Sequence, residues 1–142
     1  EMDDAEAIYN LGCCYADGTH GMTQDSSKAL ELWHRAGELG RTSAYYNIGH
    51  AYCFGRGVER DIEKAKHYWE LAAMGGNAMA KYNLGILEWR SGNMSRALKH
   101  YMIAVGRGHD KSLKEIRKLY MNGHATKDDY EKALRSHHEY IC

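Results

Sequence analysis

The chain has 142 residues, of which 44% are hydrophobic and 27% charged, and its 19 basic and 19 acidic residues cancel to zero net charge. This balance disfavours a protein that binds nucleic acid mainly through phosphate contacts, because such binding requires many unpaired lysines and arginines. The sequence contains no apolar run of 18 residues and no basic then apolar leader, so it predicts neither a membrane span nor a signal peptide. The charge is nevertheless uneven, since residues 1–40 carry −6 and the remainder carries +6.

A four-residue pattern returns along the chain at an interval of about 36 residues. Tyr9-Asn10-Leu11-Gly12 is followed by similar tetrads at residues 46–49 and 82–85. Self-similarity at this period predicts helix pairs that stack and bury their apolar sides against one another. We predict an all-α, right-handed superhelical solenoid that forms one domain over residues 1–142, with repeats at about 5–41, 42–77, 78–109 and 110–142. Because the first repeat begins almost at once, we expect the chain to be a piece of a longer protein.

The first helix of each repeat carries an apolar stripe. Ala7, Leu11 and Tyr15 fall at i, i+4 and i+8, the spacing of a helix that buries one side. Gly12 interrupts this helix and recurs as Gly49 and Gly85, which predicts a place where another backbone comes too close for a side chain. The corresponding stripes of the later repeats are Ala44, Ile48, Tyr52; Ala80, Leu84, Glu88; and Ser112, Ile116, Tyr120.

Turn and cap residues separate the two helices of each repeat. A left-handed residue that ends the first helix is predicted at Gly18, Gly55, Gly92 and Gly123. Short side chains that accept hydrogen bonds from free backbone N–H groups are predicted to begin the second helix at Asp25, Asp61, Asn93 and Asp129.

The second helix combines small alanines with one large ring. Pairs of alanines stand seven residues apart at Ala29 and Ala36, Ala65 and Ala72, and Ala97 and Ala104. Between them lie Trp33, Trp69 and Tyr101, with His137 at this place in the fourth repeat. Small residues permit close helix approach and the ring fills the remaining space, so this pattern indicates packing and not chemistry.

Together these residues resemble the Sel1-like repeat family, a branch of the tetratricopeptide-repeat superfamily. The second repeat matches the family pattern at Ala44, Ile48-Gly49, Tyr52, Gly55-Arg56-Gly57-Val58, Asp61, Lys64-Ala65, Trp69, Ala72-Ala73 and Gly75. The first repeat matches with an altered turn, the third is similar to relatives with a shorter turn, and the fourth matches weakly. The resemblance implies a superhelix whose first helices line a concave surface, in a protein that acts as a non-enzymatic adaptor.

Positions two residues on from the packed stripe point to the opposite side of each first helix, where a partner would bind. The predicted binding residues there and close beside are Tyr9, Cys13, Asp17, Tyr46, His50, Phe54, Tyr82, Ile86, Trp89, Arg90, Lys114 and Lys118. Aromatic rings followed by basic residues favour a protein or peptide partner with an apolar anchor and an acidic stretch. Alternatively, Tyr9, Tyr46 and Tyr82 belong to the packing of the repeat itself. Homo-association of the acidic and basic ends and a single-stranded RNA reader remain rival functions.

Signals for metal, cofactor or catalytic chemistry are absent from the sequence. The nine histidines include no His-x-x-x-His pair, and there is no Cys-x-x-Cys. No Gly-x-Ser-x-Gly elbow or phosphate-binding loop occurs either, so we predict no metal, no cofactor and no enzyme activity. The four cysteines, including Cys142, do not recur with the repeat, which favours reduced thiols and an intracellular, cytoplasmic location.

Overall fold

A computed structural model describes residues 4–141, and over this range the chain is helical without strands. The helices are α1 (Ala5–Asp17), α2 (Ser26–Glu38), α3 (Ser43–Phe54), α4 (Ile62–Met74), α5 (Ala78–Arg90), α6 (Met94–Gly106), α7 (Asp110–Met121) and α8 (Lys127–Ile141). The predicted all-α class, built from helix-turn-helix repeats, is confirmed. Within the same residues, no helix is long and apolar enough to cross a membrane.

The helices form two compact units, an N-terminal unit that ends at Gly75 and a C-terminal unit that begins at Gly76. In the N-terminal unit α1 packs on α2, α2 on α3 and α3 on α4. In the C-terminal unit α5 packs on α6, while α6, α7 and α8 contact one another. Each unit therefore contains two helix pairs, and the single domain over residues 1–142 stays a prediction.

The first helix of each repeat ends shortly before the glycine that was predicted to stop it. Gly18 and Gly55 adopt the left-handed conformation with φ of 69° and 70°, and Gly92 and Gly123 do so with φ of 85° and 82°. The prediction of left-handed residues at these four turns is confirmed. Their φ values are costly for a residue with a Cβ atom, which explains why glycine stands there.

The predicted N-caps are correct for two helices and wrong for α8. Asp25 accepts a hydrogen bond from the backbone N–H of Lys28 at 3.1 Å, and Asp61 does the same for Lys64 at 3.1 Å. Asn93 precedes α6 but makes no side-chain cap bond. The last helix begins at Lys127, so Asp129 lies inside its first turn.

Thr126 takes the capping role that the sequence had suggested for Asp129. Thr126 Oγ1 accepts from the Asp129 backbone N–H at 3.0 Å, and Asp129 Oδ2 accepts from the Thr126 N–H at 2.9 Å. This reciprocal arrangement is a capping box, in which a hydroxyl residue and an acid three positions later satisfy each other's backbone donors. The backbone hydrogen bond from Thr126 lowers the pKa of Asp129.

The core of each unit contains the predicted alanines and rings together with buried leucine, isoleucine or valine side chains. Trp69 and Tyr101 are buried, and the paired alanines around them are fully covered. A Cβ atom added to Gly85 would lie 2.5 Å from Tyr101 Cε1, and one added to Gly49 would collide with the Trp69 ring. These glycines do mark close approaches, but the prediction of another backbone is wrong, because the neighbour at each is an aromatic ring. The fourth repeat differs. His137, which stands where the other repeats have a buried ring, is half-buried, and its Nε2 lies 2.6 Å from Asp110 Oδ1.

The stripe predicted for α1 is wrong at its first two positions. Ala7 is exposed and Leu11 is 37% exposed, whereas Ala44 and Ile48 at the same places in α3 are fully buried. The physical reason is the number of neighbours, since α3 packs between α2 and α4 whereas α1 packs mainly on α2 within its unit. The same sequence pattern therefore yields different burial.

Candidate functional site

Side chains of α1 and α3 meet on the N-terminal first-helix face, which we define as Tyr9, Cys13, Asp17, Tyr46, His50 and Phe54. The contact is made by Asn47, whose Nδ2 donates to Tyr9 Oη at 3.3 Å and lies 3.8 Å from Cys13 Sγ. The Arg41 guanidinium carbon sits 4.7 Å from the centre of the Tyr9 ring. Burial raises the pKa of the Tyr9 phenol. Tyr9 thus takes part in packing, as the alternative interpretation of the tyrosines holds.

A row of rings follows the length of α3. The His50 ring centre lies 6.4 Å from that of Tyr46 and 4.5 Å from that of Phe54. Burial lowers the pKa of His50, and the nearby positive charge of Arg56 lowers it further. His50 is therefore neutral at physiological pH. The row ends at Phe54, which is 59% exposed and offers an uncovered aromatic surface.

A cavity of about 620 Å³ opens beside this row in the N-terminal unit. Its lining comes from α1, α2, α3 and their turns and consists of Cys13, Ala16, Asp17, Gln24, Ser26, Ala29, Trp33, Tyr46, Asn47, His50, Ala51 and Arg56. Asp17 and Arg56 are both exposed, and neither forms an ion pair with another described residue. The lining thus offers one acidic and one basic side chain whose charges form no ion pair within the described residues. A volume of this size is typical of ligand sites.

Two equivalent tryptophans differ in their hydrogen bonding. Trp69 Nε1 donates to the backbone carbonyl oxygen of Tyr46 at 3.0 Å. Trp33 stands at the same place in the first repeat and is only 8% exposed, yet its Nε1 has no partner among the described residues. A buried donor without a partner is uncommon in folded proteins. Sequence reasoning assigned Trp33 to packing alone and gave no signal for this difference.

Packed side chains occupy the centre of the C-terminal first-helix face. We define this face as Tyr82, Ile86, Trp89, Arg90, Lys114 and Lys118. The Tyr82 ring centre lies 4.5 Å from that of His109 and 5.9 Å from that of Tyr101. Burial raises the pKa of Tyr82, Glu115 raises it further, and Lys118 opposes this effect. Ile86 packs on the same core. Tyr82 and Ile86 therefore form the apolar part of this face.

Exposed lysines of α7 form its charged part. Lys114 and Lys118 stand one turn apart, and Lys118 Nζ lies 3.4 Å from Glu115 Oε2. Lys114 forms no ion pair with a described residue. Trp89, 51% exposed, and Arg90 are on α5, but no hydrogen bond, ion pair or ring contact joins them to these lysines within residues 4–141.

The structure groups the predicted site residues by unit and adds several that the sequence did not single out. Asn47 and Arg56 belong to the N-terminal set, whereas His109 and Glu115 belong to the C-terminal set. The recurring Tyr-Asn pair was a usable signal for Asn47, because an amide beside a first-helix tyrosine faces the neighbouring first helix. His109 and Glu115 carried no such signal.

Metal-binding side chains are not clustered in the part of the chain that the structure describes. Over residues 4–141, no three or more His, Cys, Asp or Glu side chains are close enough to share an ion. Cys13, Cys14 and Cys53 form no disulfide with another described residue. Cys142 lies outside the described residues.

Comparison with known proteins identifies the family of this helical-repeat fold. The Sel1 repeat pattern matches residues 5–40, 42–77 and 118–135. The chain belongs to the Sel1 repeat family. Its helical-repeat fold is one that typically serves as a protein-interaction scaffold. The match omits residues 78–109, whose helices α5 and α6 are joined by the short turn of Ser91, Gly92 and Asn93.

Solved structures show the same fold. A Sel1 repeat protein from Oxalobacter formigenes has a TM-score of 0.82 at 30% identity, over 97% of this chain and 58% of its own. A protective antigen of uropathogenic Escherichia coli with an SLR fold has a TM-score of 0.81 at 29% identity, over 97% of this chain and 30% of its own.

A more distant similarity shows the fold alone. An immunity protein from Pseudomonas aeruginosa has a TM-score of 0.52 at 20% identity, over 96% of this chain and 66% of its own. A search of curated proteins found no significant match. This Sel1 repeat chain thus spans just over half of the Oxalobacter relative and under a third of the Escherichia one.

Proposed function

We propose that this Sel1 repeat chain is a non-enzymatic scaffold that binds another protein through the first-helix faces of its units. The observation that carries the proposal is the basic edge of α7, where exposed Lys118 lies near half-buried Tyr82 and exposed Lys114 stands one turn away on the same helix. Lys114 makes no ion pair within the described residues, so folding of this unit does not use its charge. Such a surface favours a partner with an acidic stretch.

The charge of the C-terminal half of the sequence also favours an acidic partner. The C-terminal half of the sequence, residues 76–142, contains twelve basic and seven acidic residues, whereas residues 1–75 contain seven basic and twelve acidic. A net charge of +5 on the C-terminal half attracts an acidic segment and speeds its encounter with this face. Ion pairs at the rim of an interface contribute little affinity, so we expect apolar anchors as well.

Exposed aromatic rings provide surfaces for such anchors. Phe54 and Trp89 are both more than half exposed, and neither belongs to the buried core of its unit. Large aromatic side chains supply much of the binding energy in protein interfaces, because they bury a large area at a small entropic cost. We propose that apolar side chains of the partner pack against Phe54 in the N-terminal unit and against Trp89 in the C-terminal unit.

A binding assay with defined variants tests this proposal. The partner is first captured from cell extract on the immobilised chain, identified by mass spectrometry and purified, and its dissociation constant is measured by calorimetry. We expect Phe54→Ala and Trp89→Ala to weaken binding about tenfold or more each, and Lys114→Glu to weaken it more at low salt than at high salt. Met74→Ala is the matched control, because Met74 is 82% exposed at the end of α4 and lies outside both faces.

Other outcomes would contradict the proposal. Unchanged affinity in all three variants, with helical content intact by circular dichroism, would place the interface elsewhere. Tight binding of mixed-sequence single-stranded RNA near physiological salt would favour the RNA reader. A mass in light scattering that doubles at low salt would instead favour homo-association.

We also propose an intracellular, cytoplasmic location for the chain. None of the described cysteines forms a disulfide with another described residue, which suits a reducing compartment. Alkylation of the thiols in intact cells, before any reductant is added, should label Cys13 and Cys14. Failure to label them would argue for an oxidising location.

A further inference from the structure

A second cavity, of about 660 Å³, opens beside α6 in the C-terminal unit. We call it the second-helix groove and define it by Leu98, Lys99, Met102 and Ile103 of α6 and by Ala125 and Thr126 of the turn before α8. None of these residues belongs to the C-terminal first-helix face. We propose that the groove binds an extended segment of a partner protein that carries an aliphatic and an acidic residue two positions apart. This inference does not depend on the first-helix faces.

The N-terminal unit shows which kind of side chain fills the corresponding space. There the turn before α4 brings Val58 against the core cluster that contains Leu30. The equivalent residues of the third and fourth repeats are Leu98 and Thr126. Thr126 instead caps α8, because its hydroxyl and its backbone N–H bond Asp129 at 3.0 Å and 2.9 Å. An aliphatic side chain therefore packs on this place in the N-terminal unit, and a polar one stands there in the C-terminal unit.

A second covering side chain is also replaced. The Tyr68 ring of α4 lies 5.4 Å, centre to centre, from the His34 ring of α2. The equivalent residues of the C-terminal unit are Ser136 and Met102. Serine is too short to cover the methionine as the tyrosine covers the histidine. The two replacements account for the open space beside α6.

The floor of the second-helix groove is apolar. Leu98 and Met102 are half-buried and pack against the core of the C-terminal unit. Ile103 is 42% exposed, whereas exposed Arg35 stands at the equivalent place on α2. Because the repeat accepts a charged residue there, folding does not require the isoleucine. These three side chains can pack on an aliphatic group of a partner, which gains free energy as apolar surface leaves water.

The α6 edge of the groove is basic. Lys99 and Arg96, one turn apart, are exposed, and neither forms an ion pair with another residue of the described range. At the equivalent place of Lys99, α2 has Glu31, which forms an ion pair on its own helix. The acid in the groove lining, Asp129, already accepts from the Thr126 N–H. The uncompensated positive charge favours an acidic residue of the partner.

The spacing of these residues defines the partner sequence. Lys99 and Ile103 are four residues apart on one helix, which is roughly 6 Å along its axis. In an extended segment, side chains two positions apart point to the same side and are separated by roughly 7 Å. An aliphatic residue over Ile103 therefore places an acidic residue two positions away beside Lys99.

The probes are three nine-residue peptides, blocked at both ends and labelled with fluorescein. Their fixed centres are Asp-x-Ile-x-Asp, Asp-x-Ser-x-Asp and Lys-x-Ile-x-Lys, with glycine or serine at every other position, so either chain direction is sampled. Fluorescence anisotropy with the intact chain should show the first peptide binding at least about fivefold more tightly than the second, because only the first buries an aliphatic side chain. It should bind about threefold or more above the third at low salt and lose part of this advantage at high salt.

Three variants locate the preferences. Ile103→Arg introduces the residue that α2 has at this place and should remove the advantage of isoleucine over serine. Leu134→Arg is the matched control, because Leu134 is also 42% exposed but lies on α8 outside the groove lining, and it should leave that advantage unchanged. Lys99→Glu introduces the residue of α2 and should reverse the preference for aspartate over lysine.

A second measurement does not depend on the folding of any variant. In ¹H–¹³C spectra of the unaltered chain, the Asp-x-Ile-x-Asp peptide should shift the methyl signals of Met102 and Ile103. The methyl signal of Met74, which is 82% exposed in the N-terminal unit, should stay in place.

Several results would overturn the second-helix groove. Among them are the absence of peptide binding, equal binding of the isoleucine and serine peptides, and an Ile103 methyl signal that does not move. Equal losses in Ile103→Arg and Leu134→Arg would show contact with any exposed apolar side chain. A smaller mass in light scattering for Ile103→Arg than for the unaltered chain would show that a second copy covers the groove. The scaffold function of the first-helix faces is decided separately, by the response of the purified partner to Phe54→Ala and Lys114→Glu.

Discussion

The first and second repeats place the same tryptophan over the same glycine, but only the second repeat uses the indole N–H. Trp69 over Gly49 donates to Tyr46, whereas Trp33 over Gly12 has no partner within the described residues. The ring and the glycine are fixed by the repeat. The hydrogen bond depends on small differences in how α1 and α3 pack on their partner helices. Small differences of this kind allow a repeated framework to acquire a distinct site.

The two units also share a framework of packed positions but differ in the side chains on their first-helix faces. The N-terminal unit has a polar cavity behind its first-helix face, and the residues up to Gly75 carry a net charge of −5. In the C-terminal unit, the rings of His109 and Tyr101 pack at a tilt against that of Tyr82, and exposed Lys118 lies near the Tyr82 phenol. Alanine and glycine positions are shared between the units, so the differences arise from residues that the framework does not constrain.

The largest effect that tests this comparison is at the shared glycines. Gly49→Ala and Gly85→Ala place a methyl group against Trp69 and Tyr101, and overpacking of about 1–3 kcal/mol outweighs the roughly 1 kcal/mol helix preference of alanine over glycine. Each variant should therefore lose up to about 2 kcal/mol of unfolding free energy in urea. Gly106→Ala is the control in α6, because a Cβ there meets no atom within 4 Å. It should be neutral or stabilising; equal losses at all three sites would show that packing against the rings is not the cause.

A smaller effect distinguishes the two tryptophans. Trp69→Phe and Trp33→Phe both remove apolar area, but only Trp69→Phe also removes a hydrogen bond, worth about 1 kcal/mol. Thermal and urea unfolding without any ligand should therefore show Trp69→Phe to be the less stable by about that amount. If Trp33→Phe costs as much, the Trp33 nitrogen has a partner in solution and the contrast between the repeats disappears.

The smallest effect is a dependence on pH shared by both units. Burial lowers the pKa of His34 and His50 in the N-terminal unit and of His109 in the C-terminal unit. Near pH 6.5 the unfolded chain binds more protons at these histidines than the folded chain does, so stability is full above that pH and falls as the pH is lowered through it. Unfolding midpoints should decrease between pH 7.5 and pH 5.5.

Single replacements measure this effect in each unit. His50→Gln and His109→Gln should each make the stability less sensitive to pH, because each removes one group that protonates only on unfolding. His124→Gln, at an exposed turn residue, is the control. A midpoint that rises on acidification would contradict the direction of these pKa shifts.

Many elements of the fold follow from local patterns, and most of the candidate site does not. Left-handed glycines, buried alanines and rings were predictable, because each reports a steric requirement inside one repeat. The α8 cap was also present in the sequence as Thr126 followed by Asp129, but the acid was mistaken for the cap. Exposure of Leu11 was not predictable, because it depends on how many helices surround α1.

The amino-acid sequence by itself determined the helix-pair repeat, the family and the positions that pack, since spacing along one helix fixes which side chains share a side. Only the tertiary structure decided that the Trp33 indole nitrogen has no partner among residues 4–141, that Asn47 reaches Tyr9, and that Arg56 lines a cavity with Asp17. These features require contacts between helices far apart in sequence. Whether such contacts form depends on differences of a few tenths of an ångström in the positions of the helices, which no local pattern of residues encodes.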